Sequence, residues 1–282
     1  MTDFWDELRA TTQARIGLGR AGDGMPTSRV LEFRLAHAVA RDAVHDPLDV
    51  DALVGELVRS GVCAGMKDDV GTGAVGPPVV DGEPGRARPG ARLGAPVVVT
   101  SRAANRAEYL RRPDRGRLPR DLSGLPSTGA DVGFVLADGL SARALQTHGP
   151  ALLEALVEVL PATFTLAPPV IATQARVGLG DHIGAALGVT TVLVLIGERP
   201  GLSVADSLGV YLTHHPEPGR PDSDRNCVSN IHSPGGLPYE AAARVVGGLI
   251  AGARQLGRSG VALKDTSREA AIVASTPDAA LS

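Results

Sequence analysis

Two regimes of apolar spacing divide the chain. Across residues 5–45, which read as helical, Val30, Leu31, Phe33, Leu35, Ala38 and Val39 supply an apolar face, with Pro26-Thr27-Ser28 as a start signal. Residues 50–60 give a second, short amphipathic helix that Gly61 stops. Over residues 64–96 the periodicity vanishes and Gly and Pro are dense, which predicts a loop or disordered insertion. Val97-Val98-Val99-Thr100 then reads as extended chain, followed by Arg102, Arg106, Arg111, Arg112, Arg115, Arg117 and Arg120.

From about residue 130 the pattern becomes regular. Val132 to Ala137 predicts a strand, ended by Asp138-Gly139-Leu140-Ser141, and a helix follows through Leu152, Leu153, Leu156 and Leu160. A strand is expected over 170–173, a helix over 181–187, a buried strand over 191–196 and a helix near 204–212. A polar loop then runs to His232, and a last helix covers 239–256. Apolar strands alternating with helices predict an α/β fold with a parallel sheet covered on both faces. The expected division is a helical N-terminal region 1–63, the Gly/Pro-rich insertion 64–96, an Arg-rich connecting segment 97–129, an α/β domain 130–265 and a frayed tail 266–282.

Composition narrows the chemistry. Aromatic residues are 3% against 43% hydrophobic, so Ala, Val, Leu and Gly must fill a core of closely packed elements. A net charge of −3 gives no global reason to expect nucleic acid or a membrane surface as partner. The longest apolar run, 190–197, is too short to span a bilayer. The acidic start Met1-Thr2-Asp3-Phe4-Trp5-Asp6-Glu7 lacks the features of a signal peptide, and the chain reads as cytoplasmic. Cys63 and Cys227 form no CxxC pair, and no histidine pair has metal-binding spacing. With no GxSxG and no paired carboxylates either, no catalytic residue and no metal ligand is assigned.

Five motifs remain. Gly17-Leu18-Gly19-Arg20-Ala21-Gly22 matches GxGxxG but follows helical rather than strand-like residues, so it reads as a turn between two helices. Gly178-Leu179-Gly180-Asp181-His182-Ile183-Gly184 does follow a strand and open a helix, and on residues alone a dinucleotide site stays open there. Glu198, closing a buried strand, stands where α/β sheets bind ligands; it would also serve as a helix cap or as a partner of Arg199. Cys227 in Cys227-Val228-Ser229-Asn230-Ile231-His232 reads as a packing thiol rather than a nucleophile, since no third group is visible. The arginine stretch, with Tyr109 as its one aromatic, suits a subunit or interdomain interface better than RNA.

Taken in order, several segments resemble the ethanolamine ammonia-lyase small-subunit family. They are Ala14 to Gly22, Phe33 to Val44, Tyr109 to Asp114, Ala137 to Ser141, Gly197 to Leu202 and Cys227 to His232. The resemblance covers about residues 8–60 and 97–264 and leaves out the insertion. It implies a Rossmann-like C-terminal α/β domain, and adenosylcobalamin held between this subunit and a large TIM-barrel subunit that carries ethanolamine. It implies radical deamination to acetaldehyde and ammonia by the two subunits together, in a pathway associated with bacterial microcompartments. The family's cobalamin contacts fall on Val177, Glu198 and Cys227. Glu198 would bond corrin amides or the nucleotide tail, Val177 would give apolar or backbone contact, and Cys227 would pack against the cofactor. Asn230-Ile231-His232-Ser233-Pro234-Gly235 comes close to DxHxxG, whose histidine ligates cobalt in some mutases. A neutral Asn230 in place of Asp points instead to a cofactor that keeps its own benzimidazole, with His232 ordering the loop. A nucleotide-binding oxidoreductase and a non-catalytic assembly subunit are the alternatives.

Overall fold

The computed structural model describes residues 4–12, 14–64 and 93–264. Most of the expected insertion, and the tail, lie outside them. Three helices come first: α1 (Phe4–Ala10), α2 (Thr27–His45) and α3 (Val50–Arg59). Then follow β1 (Val97–Thr100), α4 (Arg106–Arg111), β2 (Val132–Ala137), α5 (Ala142–Val159), β3 (Val170–Thr173) and α6 (Leu179–Leu187). The chain continues through β4 (Thr191–Gly197), β5 (Leu208–His214), β6 (Asn226–Ile231) and α7 (Tyr239–Leu256).

The six strands form one sheet in the order β1-β3-β2-β4-β5-β6. Every residue of β2 and β4 is buried, so both strands appear in the sequence as unbroken apolar runs. Alternate side chains serve opposite faces. Phe134, Leu136, Leu193 and Leu195 pack with α3, α5 and α7, while Val135, Ala137, Val192 and Val194 pack with α6. The Ser141 hydroxyl starts α5 by accepting from the Ala144 amide at 3.2 Å. Among the described residues no helix is long and apolar enough to cross a membrane.

Three expectations need correction. The sheet is mixed: β1, β3, β2 and β4 are parallel, but β5 and β6 pair antiparallel. The helix expected near 204–212 is replaced from Leu208 by β5, and the Cys227 end of the expected polar loop, Asn226–Ile231, is β6. Val204, Leu208 and Leu212 recur every four residues and imitate a helical stripe, whereas a strand buried on both faces shows no alternation. β6 is an edge strand: Val228 and Ile231 point inward while Cys227 and Ser229 are exposed, so its composition looks like a loop.

Helix α2 is barely anchored. Ala43 is its one buried residue, and Leu31, Leu35 and Val39 form an exposed stripe one turn apart. Helix α6 is the opposite case. A Cβ on Gly180 would sit 2.2 Å from Val194 Cγ2, and one on Gly184 would sit 2.6 Å from Pro216 Cγ. Gly180 and Gly184 thus let α6 press against its neighbours, and close packing accounts for these two glycines without a phosphate.

Candidate functional site

Strands β2 and β3 are neighbours, and the connections that leave them use opposite faces of the sheet, α5 after β2 on one and α6 after β3 on the other. The carboxyl ends of strands at such a switch point bind ligands in open α/β sheets. A crevice of about 420 Å³ opens there, lined by Tyr109, Gly139, Arg176, Val177, Glu198 and Tyr211 among others. Its floor depends on two glycines. Gly139 has φ +57°, and a Cβ on it would lie 2.2 Å from Gly197 O; a Cβ on Gly197 would lie 2.0 Å from Ser141 O. Without side chains the turn after β2 can meet the end of β4, where the Leu140 amide donates to Gly197 O at 2.9 Å.

Asp138, directly after β2, holds the wall. Its carboxylate accepts from the Gln174 and Ala175 amides, each at 2.8 Å, and faces Arg106 Nη1 at 3.4 Å. These bonds fix the turn after β3, in which Gln174 adopts φ 54°. Burial pushes the Asp138 carboxyl above its ordinary range, while the Ala175 amide and the Arg106 guanidinium pull it down. The same turn carries Arg176 and Val177 into the crevice. Tyr109 is fully buried, donates to Ala175 O at 3.1 Å and lies between the guanidinium groups of Arg106 and Arg176.

Glu198 follows β4. Its Oε2 accepts from the Ser207 hydroxyl at 2.6 Å and from the Asn230 amide at 3.2 Å, which ties the crevice to the start of β5 and the end of β6. Cys227 stands on β6 in register with Tyr211 of β5. The Tyr211 hydroxyl bonds the Cys227 sulfur; burial first, then charge on Cys227 and this bond, raise the tyrosine to about 12. Although Cys227 is exposed, crowding by its neighbours desolvates the thiol and pushes its pKa up, so it is not a thiolate nucleophile at neutral pH. Val177 and Glu198 therefore share one crevice, separated by β2 rather than on adjacent strands, and Cys227 reaches its edge through Tyr211.

His232 is elsewhere. It lines a separate cavity of about 400 Å³ with Arg143, Asp206 and Pro234, and its Nε2 lies 3.2 Å from Asn230 Oδ1.

Residues 2–68 and 88–264 match the family model described as ethanolamine ammonia-lyase light chain. The chain belongs to the ethanolamine ammonia-lyase light-chain family. A protein of Rhodococcus erythropolis called ethanolamine ammonia-lyase small subunit is 59% identical over 96% of this chain and 93% of its own. Proteins of the same name from Rhodopseudomonas palustris and Bradyrhizobium diazoefficiens are 44% and 43% identical, over 93% and 94% of this chain and 90% and 92% of theirs. Light-chain similarity covers every residue of the crevice and omits 69–87, inside the Gly/Pro-rich stretch. Within this light chain, sequence reasoning assigned no role to Tyr109, Asp138, Arg176 or Tyr211. Asp138 carries the same signal as Glu198, a carboxylate directly after a buried strand.

Proposed function

We propose that this chain acts as the small subunit of ethanolamine ammonia-lyase, forming with a large subunit the adenosylcobalamin site for deamination of ethanolamine to acetaldehyde and ammonia. The crevice at the switch point carries the reading, because it gathers Val177 and Glu198 and has Cys227 at its edge. Its residues fit one side of a large amphiphilic ligand. Glu198 has an acceptor for amide groups, Arg176 is a cation, and Val177 and Tyr211 are apolar surface. The crevice is open and shallow, so a corrin there needs a second subunit to cover it. When bound, the cofactor supplies the radical chemistry. This chain's residues bind and orient it: Glu198 accepts from corrin amides or the tail, Val177 packs, and Cys227 is held by Tyr211 against the edge. His232, in its own cavity beside Asn230, is read as ordering the loop, with the cofactor keeping its benzimidazole. The parallel β1-β3-β2-β4 portion is read as Rossmann-like, extended by an antiparallel β5–β6 hairpin, and the helices before residue 64 as a separate N-terminal region. A cytoplasmic or microcompartment location belongs to the same reading.

Two results are expected. Acetaldehyde release should need this chain, the large subunit and adenosylcobalamin together, and corrinoid absorbance should follow the two-subunit complex through purification. Turnover by this chain alone, or a complex that never retains corrinoid, would refute the reading; the latter would favour a pure assembly subunit. Glu198→Ala should weaken cobalamin binding by the complex about ten- to a hundredfold, the value of about 1.5–3 kcal/mol for a lost charged hydrogen bond. Spectral titration measures it, and unchanged affinity would mean that Glu198 serves only Ser207 and Asn230.

A further inference from the structure

Two guanidinium groups flank the buried Tyr109 ring, Arg106 at 4.7 Å and Arg176 at 4.4 Å from its centroid. Their situations differ. Arg106 is ion-paired: its Nη1 faces Asp138 at 3.4 Å and donates to Gly139 O at 2.8 Å, and its Nε donates to Val44 O at 2.7 Å, which leaves only its Nη2 buried without a partner. Arg176 has no ion pair among the described residues, and its Nε is buried with no hydrogen-bond partner. Yet Arg176 is firmly held. Its amide donates to Gly116 O at 2.9 Å, and its stem and the Tyr109 ring both crowd the space above Gly116, where a Cβ would lie 2.9 Å from Arg176 Cγ. A cation–π contact is of the same order as the cost of a buried donor left unbonded, so the Tyr109 ring does not by itself account for the placing of Arg176. The cluster as a whole carries two cations and one anion.

We infer that Arg176 is an anion-binding group of the crevice and takes the phosphodiester of the cobalamin nucleotide tail. The planar guanidinium fork matches phosphate as well as carboxylate, and the phosphodiester is the anionic group that a cobalamin carries. Glu198 does not neutralise Arg176; no ion pair joins them, and Glu198 Oε2 already accepts from Ser207 and Asn230. The crevice thus offers an acceptor for amides and a fixed donor for phosphate, which a corrinoid with its tail satisfies together. This inference rests on the cobalamin reading above.

The test is spectral titration of the two-subunit complex with three probes: cyanocobalamin, cobinamide phosphate, which keeps a phosphate but lacks ribose and base, and cobinamide, which lacks all three. Arg176→Gln should weaken the first two by about ten- to a hundredfold and leave cobinamide within about twofold. Arg176→Lys, which keeps the charge but not the fork, should restore part of the loss. Equal loss for all three probes would make Arg176 a structural or corrin contact and overturn the inference. So would loss for cyanocobalamin alone, which would move the contact to ribose or base, and so would no loss at all. If the wild-type complex binds none of the probes, the cobalamin reading itself falls and takes this inference with it.

Discussion

Asp138→Ala should lower the unfolding free energy by about 3–5 kcal/mol, the range for breaking a buried ion pair from one side. The carboxylate is 2% exposed, and three groups lose their acceptor when it goes: the Gln174 amide, the Ala175 amide and Arg106. Arg106 is then a buried cation whose remaining partners are the neutral carbonyls of Val44 and Gly139. Asp138→Asn keeps the volume but sets an amide NH₂ among donors, so it should also destabilise. The parent should not lose stability through this group as the pH falls. Its folded pKa is raised, so the folded state binds the proton more tightly than the unfolded chain does. Because the Gln174–Ala175 turn leads directly into Arg176 and Val177, Asp138→Ala should also weaken cobalamin binding. Urea unfolding and titration of the complex read the two effects, and an unmoved urea midpoint would show that the buried pair adds nothing to stability.

The parallel half of this fold was legible because its elements obey simple spacing. β2 and β4 are continuous apolar runs, and α5, α6 and α7 repeat apolar residues every three or four positions. The antiparallel half was not. β5 is covered on both faces and loses the alternation of a strand, while β6 takes its polar character from the side that faces solvent. Both therefore passed for something else.

The site divides in the same way. Glu198 was visible from its position at a strand end, and the resemblance supplied Val177 and Cys227. The Arg106–Asp138 pair spans 32 residues and the Tyr109–Ala175 bond spans 66, and no local pattern encodes such contacts. The arginine stretch, read as an interface segment, also contributes Tyr109 to the crevice lining with Arg106 against its ring, a role that depends on β1 carrying residues 97–100 into the sheet beside β3.

A second buried pair should cost as much to break. Arg225 joins the first turn of α6 to the segment leading into β6, through Asp181 on one side and Asp222 Oδ1 at 2.6 Å on the other. The side chains of Arg225 and Asp181 are 3% and 2% exposed. Arg225→Met should therefore destabilise the chain by about 3–5 kcal/mol, since Asp181 is left as a buried charge without its partner. Burial already holds the Asp181 carboxyl above its ordinary range, with Arg225 pulling it down. Removing Arg225 raises it further, so the variant should gain stability relative to the parent as the pH is lowered, the folded state taking up the proton first. The double replacement Asp181→Leu with Arg225→Met removes both charges and should restore most of the loss, as apolar substitutes for buried pairs commonly do. Denaturant unfolding of the parent, Arg225→Met, Asp181→Leu and the double variant at neutral and mildly acidic pH gives the coupling. If the double variant is no more stable than Arg225→Met, the loss comes from the missing bonds of Arg225 to Asp222 and Arg220 O, and the charge on Asp181 is not its cause.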